Sequence, residues 1–278
     1  MADEIDAYGP RSRVAAPRWY ASSVASETMQ AMTAIAYMTR SDWTQKGSAM
    51  ESQSAAIRDW LGPAPCTFAV VDTKQLVPGG RQGDVEAIDY LSPEPATRRA
   101  VNIVDLPRQG TTDDAKSINV VVIHPYDERE LDATRRFIEA GFCERVFVML
   151  WTERDRIRPW LDGQSAIDLG AGKEAPPLDP ALVEAGRMIV DVEYNGLSSG
   201  RGKDTVVHLV RAFADEGVPA NPDLWLRAYF AGGGTFGHAP SLEKLVREIR
   251  DGVRHRVTQR FEGNVVRHIR ERLLYPDD

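Results

Sequence analysis

The sequence predicts an α/β fold, a layered domain with a mainly parallel sheet followed by an all-helical C-terminal domain. Three observations predict it. Asn119–Ile123 and Val146–Trp151 are nearly unbroken apolar runs without polar alternation, and strands apolar on both faces belong inside a parallel sheet covered by helices. The stretch between them is amphipathic at helical spacing, so strand, helix and strand form one crossover unit, right-handed by the general rule. From Asp179 onward the apolar residues recur almost only at helical spacing.

Taken in order, residues 1–24 combine Gly, Pro and Ser with Arg11, Arg13 and Arg18, and read as a loose arm. Glu27–Arg40 spaces Met29, Met32, Ile35 and Met38 along one helical face. Glu51–Leu61 reads as a second helix, stopped by Gly62 and Pro63. Phe68–Thr73 reads as a strand, Pro78–Arg98 as a long turn-rich excursion, and Val101–Leu106 as another strand. In the crossover unit Asp127 and Glu130 fit a capping box, Leu131, Thr134, Phe137 and Ile138 form the inward stripe, and Gly141 suits a left-handed stop. Thr152 is expected to cap a helix that Pro159 kinks or restarts. Asp179-Pro180 and Asn221-Pro222 each open a helix with proline at its first position. Gly232–Gly234 closes the second of these, and Ser241–Ile249 and Asn264–Leu274 follow. The expected organisation is an arm over 1–24, an α/β domain with Rossmann-like layering over 25–170, a linker over 171–180 and a helical domain over 181–278.

Composition narrows the class. A chain of 278 residues that is 42% hydrophobic can bury a sizeable core, and a formal charge of −7 excludes a molecule that is basic all over. Only six of the 34 basic residues are lysine, which with frequent alanine points to a GC-rich bacterial or phage source. Cys66 and Cys143 form no CxxC pair, so a cysteine-rich zinc site is not expected. No signal-like apolar segment opens the chain, and no apolar run approaches the ~20 residues of a membrane helix. The expected compartment is the cytoplasm, with both thiols reduced.

Ligands of parallel sheets bind beyond the carboxyl ends of the strands. Asp72 follows FAVV, Asp105 follows VNIV, His124 follows VVVI with Asp127 just beyond, and Glu153 and Asp155 follow the last strand. Convergence of Asp72 and Asp105, supported by Asp127 and Asp155, would suit Mg2+ or Mn2+ and phosphodiester hydrolysis, with His124 as acid or base. The same carboxylates suit the caps of the following turns and helices. The string VVDT, Val70 to Thr73, resembles the first strand of PIN-like nucleases, and the resemblance implies metal-dependent nuclease chemistry. Here the string follows two expected helices instead of opening the domain.

The loop Asn195–Thr205 reads NGLSSGRGKDT. Gly196 to Gly200 satisfies GxSxG, but the segment before it is spaced as a helix, whereas a nucleophile elbow needs a strand there. Gly202-Lys203 imitates the end of a P-loop, with Leu197 where glycine is required and Asp204 where the metal-binding hydroxyl belongs. What survives is an anion site at a helix N-terminus, with Ser198, Ser199, Gly202 and Lys203 as its residues.

From Lys244 to Arg272 nine Lys and Arg stand against four acids. Lys244, Arg247, Arg250 and Arg254 lie on or beside one outward stripe, and Arg256 belongs to VRHRV, which alternates like a short strand. Helices, a basic helix and a basic strand follow the order of a winged helix-turn-helix, which would bind nucleic acid mainly through phosphate. A solvated, ion-paired arginine face is the other reading. The function expected is therefore a nucleic-acid-associated protein, with metal-dependent phosphodiesterase chemistry at the α/β edge. A nucleotide- or anion-binding α/β protein, and a non-enzymatic component of an oligomer, phage or complex, stand as alternatives.

Overall fold

A computed structural model describes residues 33–40, 50–76, 82–92, 98–109 and 119–275. The expected arm over 1–24 lies outside the described residues. Among the described residues seven strands form one sheet: β1 (Ala34–Thr39), β2 (Cys66–Val70), β3 (Arg99–Asn102), β4 (Asn119–Ile123), β5 (Arg145–Leu150), β6 (Ile167–Asp168) and β7 (Lys173–Glu174), in the spatial order β3-β2-β4-β5-β1-β6-β7. Every pairing is parallel except β6 with β7. The protein is thus α/β with a mainly parallel sheet, as its apolar strand runs require.

Besides the single turn Leu106–Gln109, the helices among the described residues are α1 (Met50–Leu61), α2 (Gln82–Leu91), α3 (Glu128–Glu139), α4 (Ile157–Gly163), α5 (Pro180–Val190), α6 (Gly200–Asp215), α7 (Pro222–Ala231), α8 (Ala239–Arg250) and α9 (Val265–Leu274). Strand side chains alternate between two apolar layers, as the pleat dictates. Val121, Ile123, Phe147 and Met149 join Ile57 and Leu61 of α1 and Ala87 and Ile88 of α2. Val120, Val122, Val146 and Val148 join Leu131 and Phe137 of α3, and that cluster runs on without a break into Leu182, Val206, Trp225 and Leu242. Residues 171–180 therefore do not interrupt the core, and the Gly172 turn within them (φ 66) joins β6 to β7.

The capping box of α3 forms as the sequence predicts. The Glu130 N–H donates to Asp127 Oδ1 at 2.9 Å, and Glu130 Oε2 accepts from Asp127 N at 3.1 Å. Leu131, Thr134, Phe137 and Ile138 are all buried. Pro180 and Pro222 stand in the first turns of α5 and α7, with Asp179 and Asn221 as the side-chain caps.

Five expectations are corrected. Residues 34–39 are a strand, because the unbroken run AIAYMT finds pairing partners on both sides, in β5 and β6. The stretch 78–98 contains α2, which lays Ala87 and Ile88 on the sheet. The strand predicted over 101–106 ends at Asn102, and Asp105 lies in a 3-10 turn. Residues 152–156 are not helical: Asp155 accepts from Trp151 N and the Thr152 hydroxyl, closing a turn before α4, and Pro159 then falls in the first helical turn without kinking it. Residues 253–260 form no strand, so no β wing follows α8. Their alternation instead presents His255 and Val257 inward, while Arg254 and Arg256 stay exposed.

Candidate functional site

The chain steps from β2 outward to β3 and then returns past β2 to β4. That reversal opens a crevice between the carboxyl ends of β2 and β4, where ligands of open α/β sheets bind. His124 stands there, directly after β4. Its N–H still pairs with Met149 O of β5 at 3.0 Å, but its φ is 53, a region that side-chain-bearing residues seldom occupy. The side chain is only 1% exposed. Its Nδ1 lies 3.0 Å from Asp84 Oδ1, supplied by the first turn of α2, and Asp84 is itself buried. The buried Nε2 has no hydrogen-bond partner among the described residues. The imidazole stacks on Trp151, the first residue after β5, with centroids 3.7 Å apart and planes 13° from parallel. The Arg40 guanidinium, just past β1, lies 4.9 Å from the Trp151 ring centroid. Adjacent strands β4, β5 and β1 thus supply one contiguous group.

Of the acid–base and metal candidates, His124 alone enters this group. Asp72 follows β2 and Asp105 follows β3, and Asn102 accepts from Thr73 N at 3.0 Å and donates to Asp105 Oδ2 at 3.3 Å. Asp72 itself accepts from Lys74 N, and Asp105 lies 3.6 Å from Arg108. Asp127 caps α3, and Asp155 closes the turn after β5. Among the described residues no three His, Cys, Asp or Glu side chains are grouped to hold a metal ion.

The basic tail is largely ion-paired. Lys244 meets Glu248, Arg247 meets Glu243, Arg250 meets Asp251, Arg267 meets Glu271, Arg270 meets Asp179 and Glu216, and Arg272 meets Glu184. Exposed pairs of this kind contribute little stability, but they cancel the local field. Arg254 and Arg256 have no ion pair among the described residues.

Arg247 and Arg250 line a cleft of about 820 Å³ with Arg154 and Arg156, against the first turn of α7. Glu153, Asp155, Asp223 and Glu243 also line it. Asp155 and Glu243 are engaged locally, while Arg154 and Arg156 have no ion pair among the described residues. The cleft opens beside the segment that leaves the carboxyl end of β5.

Ser198 and Ser199, expected from the sequence to hold an anion, are exposed before α6, and no side chain caps that helix. Gly202 has a packing role there. A Cβ would stand 3.1 Å from the Gly196 carbonyl carbon and closer still to its oxygen, so the loop and the helix meet backbone to backbone. Lys203 is half-buried near His255, and Asp204 turns inward to Arg260.

The irregular segment 253–261 is tied across α6 by polar contacts. His208 Nδ1 accepts from Arg260 N at 3.0 Å, Arg260 donates twice to Asp204 Oδ2, and Arg211 donates to His255 O at 3.4 Å. Burial holds both imidazoles below their ordinary 6.5. Arg211 and Arg260 add to the depression at His208 against Asp204, and Lys203 and Arg211 add to it at His255 against Glu248. The folded state thus favours neutral rings. Their contribution to stability is complete above 6.5 and is lost as pH falls from there through the folded values. The melting temperature is expected to decline below pH 6.5, less steeply in His208→Gln, whose amide oxygen still accepts from Arg260. An equal slope in the variant would remove His208 from the account.

No protein-family model matches the chain, and no curated protein or solved structure matches it.

Proposed function

We propose that the protein binds a phosphate-bearing ligand of the nucleotide class at the carboxyl edge of its sheet. The observation that carries this reading is the cleft lined by Arg154 and Arg156, from the segment after β5 and without an ion pair among the described residues, together with the ion-paired Arg247 and Arg250 of α8 and the start of α7. Guanidinium forks match phosphate oxygens, and helix N-termini attract the same anions. The strand reversal between β2 and β4 supports assigning the sheet to the doubly wound, Rossmann-like class, whose ligands lie at this edge. The cytoplasm, where Cys66 and Cys143 stay reduced, is the compartment that goes with this reading.

A second reading keeps nucleic acid as the partner. It is favoured by the exposed Arg254 and Arg256, which no acid neutralises among the described residues. In it, Mg2+- or Mn2+-dependent phosphodiester cleavage would fall to Asp72 and Asp105.

One titration separates the two. A ligand at a hundredfold its Kd stabilises the folded state by about 2.7 kcal/mol, which raises Tm by several degrees in a chain of this size. ATP is expected to do so in the parent and to fail in the Arg154→Ala, Arg156→Ala double variant. A short DNA duplex that raises Tm where ATP does not, with loss of the effect in Arg254→Ala, Arg256→Ala, would install the second reading.

A further inference from the structure

His124 combines two departures from ordinary chain in one residue. Its backbone is left-handed, and its buried Nε2 lacks a partner among the described residues. Buried polar atoms are nearly always satisfied, and strained residues that persist cluster at functional sites. The rest of its surroundings are those of an oriented base. A carboxylate can only accept, so Asp84 fixes the proton on Nδ1 and leaves the lone pair on Nε2. The Trp151 stack fixes the plane of the ring.

We propose that His124 is the catalytic acid–base of a hydrolytic centre acting on the phosphate ester or anhydride bond of the ligand, with Asp84 as its positioning residue and Trp151 as the ring that lies over it. This rests on the ligand reading above. Nε2 takes a proton from water, and the water oxygen forms the new bond to phosphorus. The bond from phosphorus to the leaving oxygen breaks, its electron pair stays on that oxygen, and the oxygen takes the proton back from Nε2. One water is consumed, and the imidazole returns neutral. Arg154 and Arg156 receive the charge on the phosphoryl oxygens. Trp151 opens the same short segment that carries both arginines, so a ligand engaging them bears on the ring stacked against His124. Trp151 is 39% exposed, which leaves it room to move.

The experiment follows release of phosphate from ATP and of p-nitrophenol from bis(p-nitrophenyl) phosphate by the full chain in magnesium buffer. We expect hydrolysis of at least one probe, a fall of a hundredfold or more in kcat for His124→Gln, and a tenfold or greater fall for Asp84→Asn with a displaced pH profile. ATP should still raise the melting temperature of both variants. Hydrolysis of neither probe by the parent overturns the proposal, as does His124→Gln within threefold of the parent. Should His124→Gln fail to fold, a folded Asp84→Asn with parental rate and pH profile overturns it. An arginine-dependent melting shift without hydrolysis leaves the ligand reading standing and this inference fallen. Hydrolysis that needs His124 but neither Arg154 nor Arg156 does the reverse.

Discussion

Gly186→Val is expected to cost about 3 kcal/mol or more, a large share of the ~5–15 kcal/mol that holds a typical domain together. The reason is backbone geometry. A Cβ on Gly186 of α5 would stand 2.5 Å from the Ala228 carbonyl carbon of α7, nearer still to its oxygen, and 3.0 Å from Tyr229 N. Gly232, just past α7, meets α5 in the same way, with a Cβ 2.5 Å from Arg187 N. No rotamer relieves a clash with main chain, so the helices must separate. Separation loosens Leu182, Trp225 and Tyr229, which are buried in the shared core. Overpacking alone costs about 1–3 kcal/mol, and the loosened contacts add to it. Gly163→Ala is the control, because a Cβ there meets nothing nearer than 3.5 Å. Urea melts of both variants check the result. A Gly186→Val protein within about 1 kcal/mol of the parent would mean that α5 and α7 do not approach this closely.

Arg260→Ala is expected to be the second large effect, at about 2–3 kcal/mol. Asp204 is 7% exposed and accepts two bonds from that guanidinium, at 3.0 and 2.7 Å. Stranding a buried charge costs about 3–5 kcal/mol, reduced here because the Arg260 side chain is 35% exposed and partly screened. Removing both partners should recover much of the loss, since the Asp204→Ala, Arg260→Ala protein leaves no charge unpaired. A double-mutant cycle reads the coupling directly, and a value below about 0.5 kcal/mol would reduce the pair to a surface contact. Because Arg260 also anchors segment 253–261, the single variant should become open to trypsin at Arg254 and Arg256.

The local grammar of the chain was readable, and its long-range pairing was not. Asp127, Glu130 and the stripe from Leu131 to Ile138 state a capped amphipathic helix in one stretch of sequence, and α3 forms as written. The paired prolines after Asp179 and Asn221 did the same for α5 and α7. Strand β1 is hard to read because methionines at helical spacing compete with AIAYMT, although that run carries the same unbroken apolarity that marks β4 and β5. Helix α2 was hidden among glycines and prolines, yet Val85, Ile88 and Leu91 recur every third residue within it. Missing α2 meant missing Asp84. Even with α2 in hand, no spacing rule would have joined Asp84 to His124, because the sheet, and not the local sequence, brings them together. The carboxylates after the strands illustrate the converse difficulty. The residue type that binds metal is also the type that caps turns, and Asp127 and Asp155 are visibly occupied with capping.

The place of β1 in the sheet also governs when the molecule can be completed. Ala34 pairs with Arg145, and Ala36 with Ile167, so the first described strand of the chain is inserted between two that are translated far later. During synthesis at roughly 5–20 residues per second, AIAYMT must wait unpaired for several seconds or longer while β2, β4 and β5 assemble. Such long-range parallel pairing slows folding, because loop closure precedes any contact that rewards it. Until Leu150 has left the ribosome, the nascent protein carries an unpaired apolar strand, and until Asp168 has left it β1 keeps one open edge. The partly made chain is therefore the state in which this protein is most exposed to aggregation and most in need of a chaperone.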